Sequence, residues 1–205
     1  MPIYVPTDCT LHEAIRRSNQ CNTQTIILLE PGEYDIKAHC SLVCIQKYLI
    51  ITKPVCILGN CSIFNGGLFI LDKIEGEIYI ENVSICHKQG SGIIAESSFT
   101  VNNVCIRACQ DDGILIRGNS VKCKCTNVRI RNCLESGLTL EGSSTVYIDG
   151  LNTFIKYNTC GISVCHSTIS VVNVQHPLTK ETISNHNFYN FKVFGCANLT
   201  QIKNV

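Results

Sequence analysis

The sequence predicts an all-β fold: a right-handed, single-stranded parallel β-helix, or solenoid, with an N-terminal α-helical cap. Two periodic features and one absence predict it. The motif Asn-x-x-Ile begins at Asn82, Asn103, Asn127 and Asn152, and a Gly before alternating apolar residues recurs at Gly92, Gly113, Gly137 and Gly161. Successive copies are 21–25 residues apart, as in a strand-only repeat. No helical pattern separates the strands, which excludes a βαβ fold.

The elements follow in chain order. Thr10-Leu-His-Glu13 has the pattern of a capping box, so a short helix is expected within an N-terminal cap that spans residues 1–23. Residues 24–174 form the coils, beginning with the apolar run Thr25-Ile-Ile-Leu-Leu29. Residues 175–205 lose the repeat and hold an aromatic cluster, which indicates a C-terminal cap or a homo-oligomer contact. We predict a single domain of 1–205.

The Asn residues of the repeat are expected to be structural. Stacked Asn side chains at a tight bend can hydrogen-bond to one another, and Asn tolerates the left-handed backbone conformation that such a bend requires.

Composition and charge exclude several classes of function. The 17 basic and 16 acidic residues leave a net charge of +1, so no global field attracts nucleic acid or a membrane surface. No apolar run approaches the ~20 residues of a membrane span. The first residues lack the pattern of a signal peptide, which predicts an intracellular protein that is not secreted through such a peptide.

Fifteen cysteines, an odd number, predict mostly free thiols in a reducing compartment. Cys123 and Cys125 have a spacing seen in metal sites, yet they occupy the places of Phe99 and Val101 in the preceding repeat. Free Cys behaves as a small apolar residue, which favours core packing and predicts no metal site. Metal ligation and redox chemistry are the alternatives to core packing.

The order of cap helix, strand, Pro-Gly turn and apolar strand resembles the right-handed parallel β-helix, pectin-lyase-like superfamily. The residues that carry this resemblance are Leu11-His-Glu-Ala-Ile15, Thr25 to Tyr34 and Val55-Cys-Ile-Leu-Gly59. The Cys-, Asn- and Ile-rich character resembles β-helix proteins of large DNA viruses, which implies a place in the host cytoplasm or the virion. The superfamily contains polysaccharide lyases, hydrolases, virion proteins and non-catalytic binding modules, so the resemblance leaves the function open.

Four residues are candidates for catalysis: Asp111, Asp112, Glu135 and Arg131. Gln110-Asp-Asp-Gly113 resembles the paired-carboxylate motif of polygalacturonases, in which one acid protonates the leaving group and another activates water. The Arg-Ile-Arg at 129–131 resembles their Arg-Ile-Lys, but it precedes Gly137 and no Gly-His-Gly accompanies it. Asp before Gly is also ordinary turn chemistry. Ca²⁺ is the only cofactor considered, and only for a lyase.

Three cationic residues, Arg107, Arg131 and Lys156, each follow the Ile of the repeat and are expected to form a column. Stacked like charges need neutralisation. Arg107 can pair with Asp111 and Arg131 with Glu135; the alternative is an anionic ligand such as a uronate, sulfate or phosphate. We therefore expect a non-catalytic binding or structural solenoid whose lateral face contacts a protein or a glycan. The alternative is a lyase or hydrolase acting on an acidic glycan.

Overall fold

The computed structural model describes residues 2–7, 9–36, 47–165, 170–195 and 202–205. Its elements, in chain order, are β1 (Ile3–Val5), α1 (Leu11–Gln20), β2 (Thr25–Asp35), β3 (Tyr48–Ile51), β4 (Val55–Phe64), β5 (Gly67–Ile70), β6 (Ile78–Cys86), β7 (Ile93–Ala95), β8 (Phe99–Asn102), β9 (Cys105–Arg107), β10 (Ile114–Thr126), β11 (Arg129–Arg131), β12 (Ser136–Asp149), β13 (Phe154–Lys156), β14 (Cys160–Cys165), β15 (Val171–Val174), α2 (Lys180–Ile183), β16 (Tyr189–Phe194) and β17 (Ile202–Asn204).

The predicted fold class is confirmed: the strands form one all-parallel β-solenoid of about seven turns, and 57% of the structure is strand. Each turn contributes to three lateral faces. Face A runs from β1 and the start of β2 through β8 and β15 to β17, and face B from the end of β2 through β9 and β11 to β13. Face C runs from β3 through β7 and β14 to β16.

The helix begins as the sequence predicts. Thr10 is its N-cap, and its side chain accepts the backbone N–H of Glu13. The return bond of a capping box is absent, because the Glu13 carboxylate pairs with Arg16 and Arg17 instead. The buried face of α1, which includes Leu11, packs on the first coil. None of the described helices is long and apolar enough to cross a membrane.

The Asn column is structural for three of its four predicted members. Asn82, Asn103 and Asn127 have φ of 57°, 49° and 53°, and the Asn103 amide donates to the Asn82 carbonyl at 2.7 Å. Asn152 does not belong to the column. Two extra residues lengthen its turn, and Gly150, with φ of 85°, stands above Asn127 instead.

The core is a set of stacked isoleucines, leucines, valines and cysteines. Ile85, Ile106, Ile130 and Ile155 form one such column on face B. The ladder continues beyond residue 174, because β16 pairs with β14 and β17 with β15. Three faces of exposed side chains therefore surround a closed core, and function is to be sought on those faces and at their corners.

Candidate functional site

The corner between faces B and C carries the predicted acidic residues. Three successive coils turn there through a residue with left-handed φ: Ala108 at 52°, Asn132 at 58° and Tyr157 at 59°. The next side chain points inward, as Cys109 and Cys133 do; they are 1% and 2% exposed. The acids Asp111, Asp112 and Glu135 come after this bend.

Asp112 is held by the coil above it. Its Oδ1 accepts the Thr139 hydroxyl at 2.7 Å and the Ser136 backbone N–H at 3.1 Å. Burial raises the pKa of the Asp112 carboxyl above its ordinary value, and these hydrogen bonds oppose the shift only in part. A raised pKa of this kind is a feature of functional carboxylates and of structural ones alike.

The structure brings two of the four catalytic candidates together. Asp112 and Glu135 line one pocket of about 330 Å³ on face C. Asp111 is exposed and does not line the pocket, and Arg131 lies on face B, on the other side of the corner. A constellation of all four candidates does not form.

The predicted column of cations exists. In the strand register, Arg131 stands directly between Arg107 and Lys156. Arg129, which the sequence analysis did not single out, lies one column away on the same strand and is also exposed. The sequence could have identified Arg129, because it comes two residues before Arg131 and side chains two residues apart project from the same face of a strand. We call Arg107, Arg129, Arg131 and Lys156 the basic ladder.

The expected ion pairs within this column do not form. Neither Arg107 with Asp111 nor Arg131 with Glu135 makes a salt bridge, and in the described part of the chain no carboxylate pairs with any cation of the basic ladder. A spacing of four residues brings side chains together on a helix, whereas here the left-handed bend carries the acids to the next face. Lys156 contacts an aromatic ring instead, with Nζ 5.5 Å from the centroid of Phe154.

A polar groove adjoins the basic ladder at the edge of face B. It has a volume of about 220 Å³. Its lining includes Asn60, Ser62, Asn82, Ser84, Asn103 and Arg129. Amide and hydroxyl groups of this kind can donate to and accept from a polar ligand.

The cysteines of the described residues are free thiols. Cys123 and Cys125 are buried in register with Phe99 and Val101, as expected for core residues, with their sulfurs 3.5 Å apart. Burial raises the pKa of the Cys61 thiol to about 12, so it is protonated at neutral pH. Among the described side chains, no three of His, Cys, Asp and Glu converge to hold a metal ion.

His87 fills the inward corner position one coil before Cys109. Its Nδ1 accepts the N–H of Gln89 at 3.2 Å, so Nε2 carries the proton and donates to the carbonyl of Lys47 at 3.0 Å. The ring stacks on Tyr48 with centroids 4.7 Å apart. Burial lowers the pKa of His87 from 6.5, and the hydrogen bond to the Lys47 carbonyl opposes this shift in part.

This environment predicts a pH dependence of stability. Because the folded-state pKa of His87 is lowered, its contribution is complete above the unfolded value of about 6.5 and is lost as pH falls towards the folded value. We expect the free energy of unfolding to fall more steeply between pH 7 and 5 in the wild type than in His87→Gln. Urea unfolding at several pH values measures the two slopes, and parallel slopes would contradict a neutral buried imidazole.

In comparisons with known proteins, no family model, no curated protein and no solved structure matched this chain.

Proposed function

We propose that the protein is a non-catalytic binding solenoid that takes an extended polyanion, an acidic glycan, along the basic ladder. One observation carries the proposal: Arg107, Arg129, Arg131 and Lys156 occupy three successive coils of face B, and none of them has a carboxylate partner among the described residues. Coils repeat at about 4.8 Å, and like charges at that distance destabilise the fold unless an anion neutralises them. An elongated ligand can contact several of them at once.

The neighbouring groups favour a glycan over a compact anion. The Asn- and Ser-lined groove beside Arg129 supplies neutral hydrogen-bonding groups, and Phe154, half-buried in the column of Arg129, offers an apolar ring. Hydroxyl groups, negative charge and apolar ring faces occur together in uronates and sulfated sugars. Arg suits such anions because its planar guanidinium donates in a bidentate manner to carboxylate and sulfate.

The test compares two pairs of exposed cations on the same coil. The double variant Arg129→Gln/Arg131→Gln removes half of the basic ladder, and Lys122→Gln/Lys124→Gln removes a matched pair from face A. Binding to polygalacturonate and dextran sulfate is measured by biolayer interferometry over a range of salt concentrations. We expect the face-B variant to bind about tenfold more weakly, with a shallower salt dependence, because charge-assisted hydrogen bonds are lost.

The control variant should bind like the wild type. The face-B variant should also be at least as stable as the wild type to urea, since removing stacked like charges relieves repulsion. Equal losses from both variants would show non-specific attraction and contradict the proposal, as would tighter binding to duplex DNA than to either glycan.

A second candidate function is cleavage of an acidic glycan in the face-C pocket, by a hydrolase or a lyase reaction. It is favoured by one observation, that Asp112 and Glu135 line the same pocket and burial raises the pKa of the first. A carboxyl group whose pKa is raised, beside a second carboxyl group, is the arrangement that glycosidic cleavage needs. Release of reducing ends or unsaturated products, abolished by Asp112→Asn, would establish it.

We further propose kinship with the pectin-lyase-like superfamily, an origin in a large DNA virus and an intracellular site of action. The order of cap helix, strand and Pro-Gly turn supports the first, and composition supports the other two. Homo-oligomerisation through 175–205 is also proposed, and the exposure of Phe188, at 78%, supports it.

A further inference from the structure

The face-C pocket has features that neither glycan proposal uses. It lies between the corner that carries Asp112 and the strand β16, more than 70 residues later in the chain. Thr139 and Ser163, which project outward from neighbouring rungs, are nevertheless buried and line it. At about 330 Å³, the pocket is at the small end of the range for ligand sites.

Opposite charges line this pocket without pairing. Asp112 and Glu135 belong to the lining on the side of the corner, and Lys192 belongs to it on β16. Within the described chain, none of the three makes a salt bridge, although a Coulomb attraction would favour one. Among the described residues, the face-C pocket therefore has an unpaired ammonium group on one side and two unpaired carboxyl groups on the other.

Two of these charged groups, Asp112 and Lys192, make contacts that leave them able to bind a ligand. The Ser136 backbone N–H and the Thr139 hydroxyl donate to Oδ1 of Asp112, the Ser136 hydroxyl also hydrogen-bonds to this carboxylate, and the carboxylate still lines the pocket. The Lys192 ammonium lies 4.5 Å from the ring centroid of Phe194 and 5.1 Å from that of Tyr189. Both distances are within cation–π range, and such contacts satisfy none of the three N–H donors of the ammonium with an anion.

We propose that the face-C pocket binds a small zwitterion of the α-amino-acid class, with its ammonium group at Asp112 and Glu135 and its carboxylate at Lys192. A ligand with both charges completes both halves of the pocket, whereas a purely anionic ligand leaves two carboxylates against it. A neutral saccharide would satisfy hydrogen bonds but leave the separated charges uncompensated. The rings of Tyr189 and Phe194 provide apolar surface for the ligand's side chain.

The proposal is independent of the basic ladder, because the two sites lie on different faces and share no residue. It is tested on the full chain by titration calorimetry with a panel of α-amino acids. The best binder is then compared with its N-acetyl derivative, which lacks the ammonium, and with its amide, which lacks the carboxylate. We expect the affinity of each derivative to be lower than that of the zwitterion by at least about tenfold.

Variants assign the two ends of the ligand. Lys192→Met should weaken binding of the amino acid about tenfold but leave binding of its amide unchanged, whereas Asp112→Asn should weaken both. Asp111→Asn is the matched control, because its carboxylate is exposed outside the pocket, and it should bind like the wild type. Glu135→Gln, at an exposed position, replaces Asp112→Asn if that variant fails to fold.

Three results would overturn the proposal. They are absence of binding by every amino acid at millimolar concentration, equal binding of the N-acetyl derivative, and preference for a monosaccharide over every zwitterion. Turnover of an acidic glycan that depends on Asp112 would assign the pocket to the second candidate function instead.

Discussion

Replacing Ile106 by alanine should lower the free energy of unfolding by about 2–5 kcal/mol. Ile106 is fully buried and stands between Ile85 and Ile130 in the face-B column. Its removal leaves a cavity bounded above and below by rungs whose backbones are fixed by the strand ladder, so the space cannot collapse. Urea unfolding of reduced protein measures the loss.

Two control variants are compared with Ile106→Ala. Ile106→Val removes one methylene and should cost about 0.5–1.5 kcal/mol. Ile26→Ala changes an outward residue of β2 that is 42% exposed, and should cost less than about 1 kcal/mol. If Ile106→Ala cost no more stability than Ile26→Ala, the result would contradict close packing of Ile106 in the face-B column.

Gly92→Ala is expected to lower the free energy of unfolding by about 1–3 kcal/mol through overpacking. A Cβ at this position would lie 2.6 Å from Cγ2 of Ile106 and 2.8 Å from the backbone carbonyl of Gly113. The carbonyl belongs to the strand ladder and cannot move aside without breaking its pairing. Space, rather than backbone conformation, therefore requires glycine here.

Gly32 provides the matched control, because a Cβ there would have no neighbour within 4 Å. Gly32→Ala should change stability by less than about 0.5 kcal/mol. The double variant Gly92→Ala/Ile106→Ala should cost less than the sum of the single variants, since the new methyl group enters space that Ile106 vacates. Strict additivity would show that the two residues do not compete for that space.

Much of the fold could be predicted because neighbours in space are one repeat apart in sequence. Asn82 and Asn103 are 21 residues apart and hydrogen-bonded, so the period itself identified the contact. The same argument placed Cys123 on Phe99 and Arg131 between Arg107 and Lys156. The roles of the candidate site residues are not fixed by this register, and they stay predictions.

The prediction failed where the repeat changes length or direction. Asn152 keeps the Asn-x-x-Ile spacing to Ile155, but two inserted residues move the left-handed position to Gly150. The ion pairs expected for Arg107 and Arg131 do not form because a left-handed bend follows each residue and carries the acid to the next face, and the sequence indicates a turn there but not its direction. Spacing along a chain indicates proximity only when the backbone between the residues is known.

The sequence by itself determined the solenoid, its columns and the basic face, because periodic apolar residues must stack wherever a strand repeat closes on its core. Only the tertiary structure decided that Asp112 and Lys192 share a pocket. The aromatic segment at 189–194 has exposed rings that obscure its alternation, yet Phe191 and Val193 pack on the core and make it a strand of the ladder. Side chains brought together from distant coils follow from that pairing, which no local pattern encodes.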